Sequence, residues 1–465
     1  MKILRLFFLT LTVSSLFAGL DEDLIKAAKN GDVKSVTELL DQSANIHAWR
    51  DKALRKATKN GHAEVVKLLL DCGANIHADH DAPLRWAAKN GHTEIVRLLL
   101  DRSADIHFEN DAPLRDAAEN GHTEIVRLLL DHNADLHARD WSGSDAPLKW
   151  AAYNGHTDTA RLLLDRGANI HARDDHALIY AAEKGHTDTV RLLLDRGANI
   201  HARDDHALRL AALYGHTDTA RLLLDRGANI HALDDHALRW AAEYGHTDTA
   251  RLLLDHNADL HARDWSGSDA SLKWAAENGH TEVVRLLVDR GADIHAECKM
   301  SERKDAPLIF AAGCGRNRIA AMLELCGLRG FEEFRADPLA FIEDQKNAER
   351  PVPAQLLLLW SIILNREEAF DLLLNISLKT EDYADDKMEV EESYDIANTM
   401  DKHRMTALMY AALVGDEYMW AKLVHAGAKI NLKNEWGKTA IQLAADAGHW
   451  NTASYLLMQL KGKRY

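Results

Sequence analysis

One short pattern returns along most of this 465-residue chain: two alanines, two variable residues, a glycine, and then a leucine-rich run. The glycine stands at Gly61, Gly91, Gly121, Gly155, Gly185, Gly215, Gly245 and Gly279. Successive copies lie 30 residues apart, with two steps of 34, from Gly121 to Gly155 and from Gly245 to Gly279. A fixed period of this length implies a repeat architecture, in which each unit cannot bury its apolar face alone and stacks on its neighbours. About thirteen copies fit the pattern, two insertions included. A stack of this kind offers a surface for holding another molecule rather than a pocket for chemistry.

The copy from Asp81 to His107 shows what one unit is physically. Asp81-Ala82-Pro83-Leu84 reads as a helix start, with an acidic N-cap and a proline in the first turn, where its missing N–H costs nothing. Leu84, Ala87 and Ala88 share one face of a short helix. Asn90-Gly91 ends it, because glycine takes the left-handed conformation without steric cost. A second helix carries Ile95, Val96, Leu98, Leu99 and Leu100, and Ser103 to His107 leads out through an extended turn. The fold class is therefore all-α, a solenoid of helix-turn-helix pairs.

Ala82-Pro83-Leu84-Arg85-Trp86-Ala87-Ala88, then Gly91-His92, Leu98-Leu99-Leu100 and, in a later copy, Gly291-Ala292-Asp293, resemble the consensus of the ankyrin-repeat family. The resemblance runs from about Leu24 to Leu460, apart from the two insertions. It implies helix pairs joined by projecting hairpin fingers, with a concave surface built from the fingers and first helices. The family period is about 33 residues, and most copies here are three shorter. The missing residues fall between the Asn-Ile-His segment and the next helix, as in His201 to Leu208, so most fingers are expected to be blunt. Two copies keep a full loop, Asp140-Trp141-Ser142-Gly143 and Asp264-Trp265-Ser266-Gly267, whose tips should project.

The chain divides by pattern. Residues 1–18 carry Lys2, Arg5 and an apolar run from Leu6 to Ala18, which fits a secretory signal and an exported protein; an uncleaved leader would instead leave it membrane-anchored or cytoplasmic. Residues 20–328 hold the main array, 329–352 an insertion, and 353–375 a degenerate copy with Asn365 at the glycine position. Residues 376–402 are an acidic insertion of nine acidic and three basic residues, net −6, whose composition suits a disordered segment. Two closing copies occupy 403–460, and 461–465 form a basic tail. Residues 131–146 and 255–270 are identical over all 16 positions, as in a block duplication.

Catalytic, metal and cofactor sites are not expected. Nine of the 26 histidines share one repeat position, from His47 to His295, and nine more follow the turn glycine. Equivalent groups in stacked helices sit ~10 Å apart, too far to share a metal with bonds of ~2 Å. The triplets Asp174-Asp175-His176, Asp204-Asp205-His206 and Asp234-Asp235-His236 stand where helix caps belong. Cys72, Cys298, Cys314 and Cys326 show no metal spacing, and export would admit a Cys314–Cys326 bridge. An enzyme site in 329–402 is the rival reading, in a segment with no histidine or cysteine. A net charge of −16 argues against nucleic acid.

The expected function is non-catalytic binding of a protein partner by a monomer, with no stable membrane insertion once the leader is removed. An exported effector engaging a host or foreign protein is the alternative. The candidate contact residues are Trp141 and Trp265 on the long loops, and Tyr153, Tyr214, Tyr244, Lys89 and Asn90 just before the turn glycines. Trp86, Trp150, Trp240 and Trp274 are assigned to the core. In the central copies Thr-Ala replaces the Ile95-Val96 pair, so residues 145–255 are expected to open more readily than 80–130.

Overall fold

The computed structural model describes residues 19–140, 143, 145–263, 269–294, 317–345, 348, 351–381 and 397–462, with side chains left aside at 317–319, 321, 376–381 and 461–462. The leader, Trp141, Trp265, Cys298, Cys314 and most of the acidic insertion lie outside these residues. The chain forms two compact units, Met1–Asn229 and Ile230–Tyr465. Among the described residues the elements are helices, with a single isolated bridge and no helix long and apolar enough to cross a membrane.

In the first unit each period gives a pair of antiparallel helices. Leu84, Ala87 and Ala88 are fully buried against Val96 and Leu99 of the helix Thr93–Leu100. Gly91 is left-handed (φ +79°), which lets the His92 amide reach back to the Ala87 carbonyl at 3.0 Å. A Cβ added at Gly91 would lie 2.7 Å from the His122 ring of the next period, so the glycine also makes room for its neighbour. The imidazoles after the glycine tie consecutive periods together. His122 Nε2 bonds the Lys89 carbonyl at 3.0 Å, and His186 bonds that of Tyr153 at 3.0 Å.

The shortened finger is a single left-handed turn. Asp79, His80 and Asp81 have φ of 52°, 62° and 49°, and the same turn recurs at Glu109–Asp111, Arg173–Asp175 and Arg203–Asp205. Left-handed non-glycine residues cost roughly 1–2 kcal/mol each, so the turn needs partners. First-helix arginines supply some of them: Arg209 donates Nε–H to the Asp204 carbonyl (3.0 Å) and an Nη2–H to that of Arg203 (2.9 Å). In the longer copy, Asp140 and Gly143 pair as a tight antiparallel bridge instead.

The aspartate at the end of the turn corrects the capping expectation. Asp145 and Asp175 are left-handed and make no side-chain cap bond to their own helices. The reversed backbone aims the carboxylate at the following period. Asp175 takes the Asn199 amide at 2.7 Å, Asp145 the Asn169 amide at 2.9 Å, and Asp51 the Asn75 amide at 2.8 Å, each 24 residues ahead. The histidine of the same copy bonds the same carboxylate, His171 Nδ1 to Asp175 at 3.1 Å and His137 Nδ1 to Asp145 at 2.8 Å. All three carboxylates are buried.

The second helices carry a threonine ladder. Thr123 Oγ1 meets Thr159 Oγ1 at 2.7 Å, Thr157 meets Thr189 at 2.7 Å, and Thr187 meets Thr219 at 2.8 Å. Thr159, Thr189 and Thr219 are buried, so the methyl groups lost from the Ile95 position are partly replaced by hydroxyl pairs.

In the second unit the periods continue to Ile294. The segment read as an insertion, 329–352, contains two short helices, Phe331–Ala336 and Pro338–Gln345. Phe331 and Phe334 pack on Trp360 with ring centroids 5.5 Å away, and Trp360 Nε1–H donates to the Leu325 carbonyl at 2.9 Å. Asn365 is left-handed (φ 55°), as its glycine-like position requires. The closing copies cap their helices conventionally: Thr406 accepts the Met409 amide, and Thr439 with Gln442 forms a capping box.

Candidate partner-binding face

The first helix Ala78–Lys89 buries the side holding Leu84, Ala87 and Ala88 and leaves Trp86, on the opposite side, partly exposed. Two residues along a helix is a rotation of about 200°, so the position after Leu84-Arg85 turns away from the core. This overturns the core assignment of the tryptophans. Trp86 and Trp150 in the first unit, and Trp240 and Trp274 in the second, are only half-buried. Lys59 Nζ stands 4.5 Å from the Trp86 ring centroid, Lys149 Nζ 4.5 Å from Trp150, and Lys273 Nζ 4.5 Å from Trp274.

In the first unit these outward positions build an aromatic strip. Tyr153 sits edge-on between Trp150 (5.6 Å) and Tyr180 (5.8 Å), and Tyr180 meets His176 at 5.2 Å. Lys184 bridges the strip, 4.7 Å from the Tyr153 ring and 5.8 Å from Tyr214. Hydrogen bonds to Glu183 and then Tyr153 hold the Lys184 ammonium above its ordinary pKa. His176 is displaced downwards, first by burial and then by Arg203, Arg173 and Lys149. Trp150 is held by its indole N–H, which donates to Asp140 at 2.8 Å; Lys149 binds the same carboxylate.

The residues singled out in the sequence separate into groups. Tyr153 belongs to the strip and is half-buried, while Tyr214 is 49% exposed at the strip's end. Tyr244, 53% exposed, takes the same repeat position in the second unit. Lys89 is half-buried, and Asn90 is exposed with its side-chain amide bonded to the Trp86 carbonyl at 2.7 Å. Trp141 and Trp265 are outside the described residues. Tyr180 and Trp150 were missed as surface residues, although the 200° offset from the buried leucine marks both.

Among the described residues no three His, Cys, Asp or Glu side chains are placed to hold a metal. Cys326 is buried, and burial pushes its thiol pKa far up, the opposite of an activated nucleophile.

A family model described as ankyrin repeats (3 copies) matches residues 24–110, 105–174, 172–234 and 208–298, which together span more than half of the chain. Among solved structures, the human ASB11 ankyrin repeat domain is similar at 28% identity and a TM-score of 0.41, covering 44% of this chain and 98% of that one. Comparison with curated protein sequences finds no match. The repeat period, the helix pairs and the matched family model agree: this chain belongs to the ankyrin-repeat family.

Proposed function

We propose that the protein is a non-catalytic scaffold that binds a protein partner across the outward face of its first helices. The observation that carries this is the aromatic strip Trp150–Tyr153–Tyr180–Tyr214 with Lys184 laid across it. Tyrosine and tryptophan combine apolar area with a polar edge and few rotatable bonds, and they dominate binding hot spots. Ankyrin repeats as a family bind protein partners, and a net charge of −16 favours protein over nucleic acid for this chain, acting as a monomer.

The test is affinity capture from source cells with wild type and with Tyr153→Ala/Tyr214→Ala, followed by titration of the captured protein. Loss of two hot-spot aromatics should weaken binding by tenfold or more, about 1.4 kcal/mol. Equal affinity would move the partner to another face.

An exported effector is the second reading, supported by Lys2, Arg5 and the apolar run that follows. Mass spectrometry of the mature N-terminus in fractionated cells tests it. A chain beginning near Gly19 outside the cytoplasm supports export, and an intact Met1 in the cytosol refutes it.

A further inference from the structure

The aromatic strip occupies only part of the first-helix face. At its N-terminal end the same outward positions are basic. The first helices read Leu24-Ile25-Lys26-Ala27-Ala28-Lys29, Leu54-Arg55-Lys56-Ala57-Thr58-Lys59, Leu84-Arg85-Trp86-Ala87-Ala88-Lys89 and Leu114-Arg115-Asp116-Ala117-Ala118-Glu119. Lys29, Lys59 and Lys89 therefore hold one repeat position in three consecutive periods, and Glu119 closes the row. Lys26, Lys56 and Trp86 form a parallel row one turn back, closed by Asp116.

The structure fixes this grid through the backbone. The carbonyls of Lys29, Lys59 and Lys89 accept the imidazoles of His62, His92 and His122 at 2.9, 3.0 and 3.0 Å. The row thus repeats with the spacing of the stacked helices, ~10 Å. The ammonium groups have no carboxylate partner among the described residues, and that of Lys59 rests over the Trp86 ring. Nearby carboxylates are already engaged by arginines, Asp79 by Arg50 and Arg55, and Glu109 and Asp116 by Arg85. Among the described residues Lys26, Lys29, Lys56, Lys59 and Lys89 form no ion pair, and Lys26, Lys29 and Lys59 are exposed. Five cations without a carboxylate partner on one face of a chain of net charge −16 mark a site for negative charge.

We infer that the row Lys29–Lys59–Lys89 receives an extended acidic polypeptide segment bearing a carboxylate at every third residue. The register follows from dimensions. A segment in the extended polyproline II conformation has three residues per turn and rises ~3.1 Å per residue, so every third side chain faces the same way at a spacing close to the ~10 Å between stacked helices. Trp86, beside the third lysine, gives the segment an apolar contact, and Glu119 repels acidic chain beyond it. This inference rests on the protein-binding reading above and names the partner chemistry at one end of that face.

The experiment uses the full chain and fluorescein-labelled synthetic peptides read by fluorescence anisotropy. One peptide has four glutamates separated by pairs of serine or glycine, and a second has the same composition with alternating glutamates. The first should bind more tightly and weaken as salt rises from 0.05 to about 0.3 M. Lys29→Glu/Lys59→Glu/Lys89→Glu should lower its affinity by about tenfold or more, as three ion pairs together imply. Lys34→Glu/Lys67→Glu, on the second helices, should leave it unchanged. These substitutions keep the carbonyls that bind histidine, and circular dichroism checks the fold.

Equal binding of both peptides, or equal loss in the control variant, would overturn the register in favour of diffuse attraction. A fall in thermal stability with unchanged affinity would assign the lysines to the helix C-terminal dipole and overturn the inference. Preference for single-stranded DNA over the peptide would overturn it as well. If neither peptide binds while Tyr153→Ala/Tyr214→Ala still abolishes partner capture, this inference fails and the protein-binding reading stands.

Discussion

Asp175 and Asn199 are 24 residues apart and joined by a 2.7 Å hydrogen bond from the Asn199 amide to the buried Asp175 carboxylate. Asp175→Ala removes that bond together with the one to His171, and leaves the Asn199 N–H without its partner. The expected cost is about 1–3 kcal/mol, measured by urea unfolding. Asp175→Asn retains an acceptor oxygen and should cost less. Equal losses would mean that a neutral acceptor cannot replace the carboxylate and that its charge carries the interaction.

The left-handed turns predict an unusual response to glycine. Asp174 has φ 59° and an exposed side chain, so Asp174→Gly relieves backbone strain. It should be neutral or stabilising by up to about 1 kcal/mol. Arg191→Gly, in the middle of the helix Thr187–Asp195, should instead destabilise by about 1 kcal/mol. Thermal melts of the two variants, run side by side, check the sign of each.

Thr189→Val keeps the volume of a buried side chain and removes the hydroxyl that meets Thr157 at 2.7 Å. A loss of about 1 kcal/mol is expected. Hydrogen exchange should still show residues 145–255 opening before 80–130, because a hydroxyl pair replaces only part of the packing lost at the Ile95-Val96 position. The reverse order would mean that the ladder compensates in full.

His403 joins two elements of the second unit, through Nδ1 to Glu435 at 2.6 Å and Nε2 to Glu324 at 2.7 Å. Burial alone lowers its pKa, but the bonds to Glu324 and Glu435 outweigh this and raise it above the ordinary 6.5. A raised folded-state pKa contributes stability that is fully present below the unfolded value and is lost as pH rises through the folded one. Glu324 runs the other way. Burial opposes its ionisation, yet bonds to His403 and Lys402 hold it below 4.5, so its contribution disappears on acidification. The melting temperature of the second unit should therefore fall as pH rises above about 6.5, and His403→Gln should flatten that limb.

Most of the helix framework was legible because it depends on few residues with narrow roles. Leu84, Ala87 and Ala88 mark a buried side, and Gly91 a stop, through periodicity alone. The finger turn was not legible in the same way. Asp, Asn and His tolerate left-handed backbone, but Trp49, Arg50 and Leu233 adopt it too, and no local preference announces that. Asp175 looks like a cap because the residue type fits; the partner that redirects it, the Asn199 amide, is set by stacking. The tryptophans were misread because hydrophobicity was weighed above angular position. The lysine row escaped notice because charge was summed over the chain, where −16 conceals a local excess of the opposite sign.

The 24-residue link between Asp145 and the Asn169 amide has the same length as that between Asp175 and the Asn199 amide. Yet Asp145 lies eight residues beyond its histidine and Asp175 only four. The four extra residues of the longer copy thus enter between the histidine and the aspartate and leave the fastening to the next copy untouched. Whole copies can accordingly be gained or lost, and loops can lengthen at one point, without renegotiating any joint. The shared sixteen residues at 131–146 and 255–270 are the pattern that duplication of such a block would leave. Variation in this lineage should concentrate in that interval, where new recognition loops can arise while the spine stays constant.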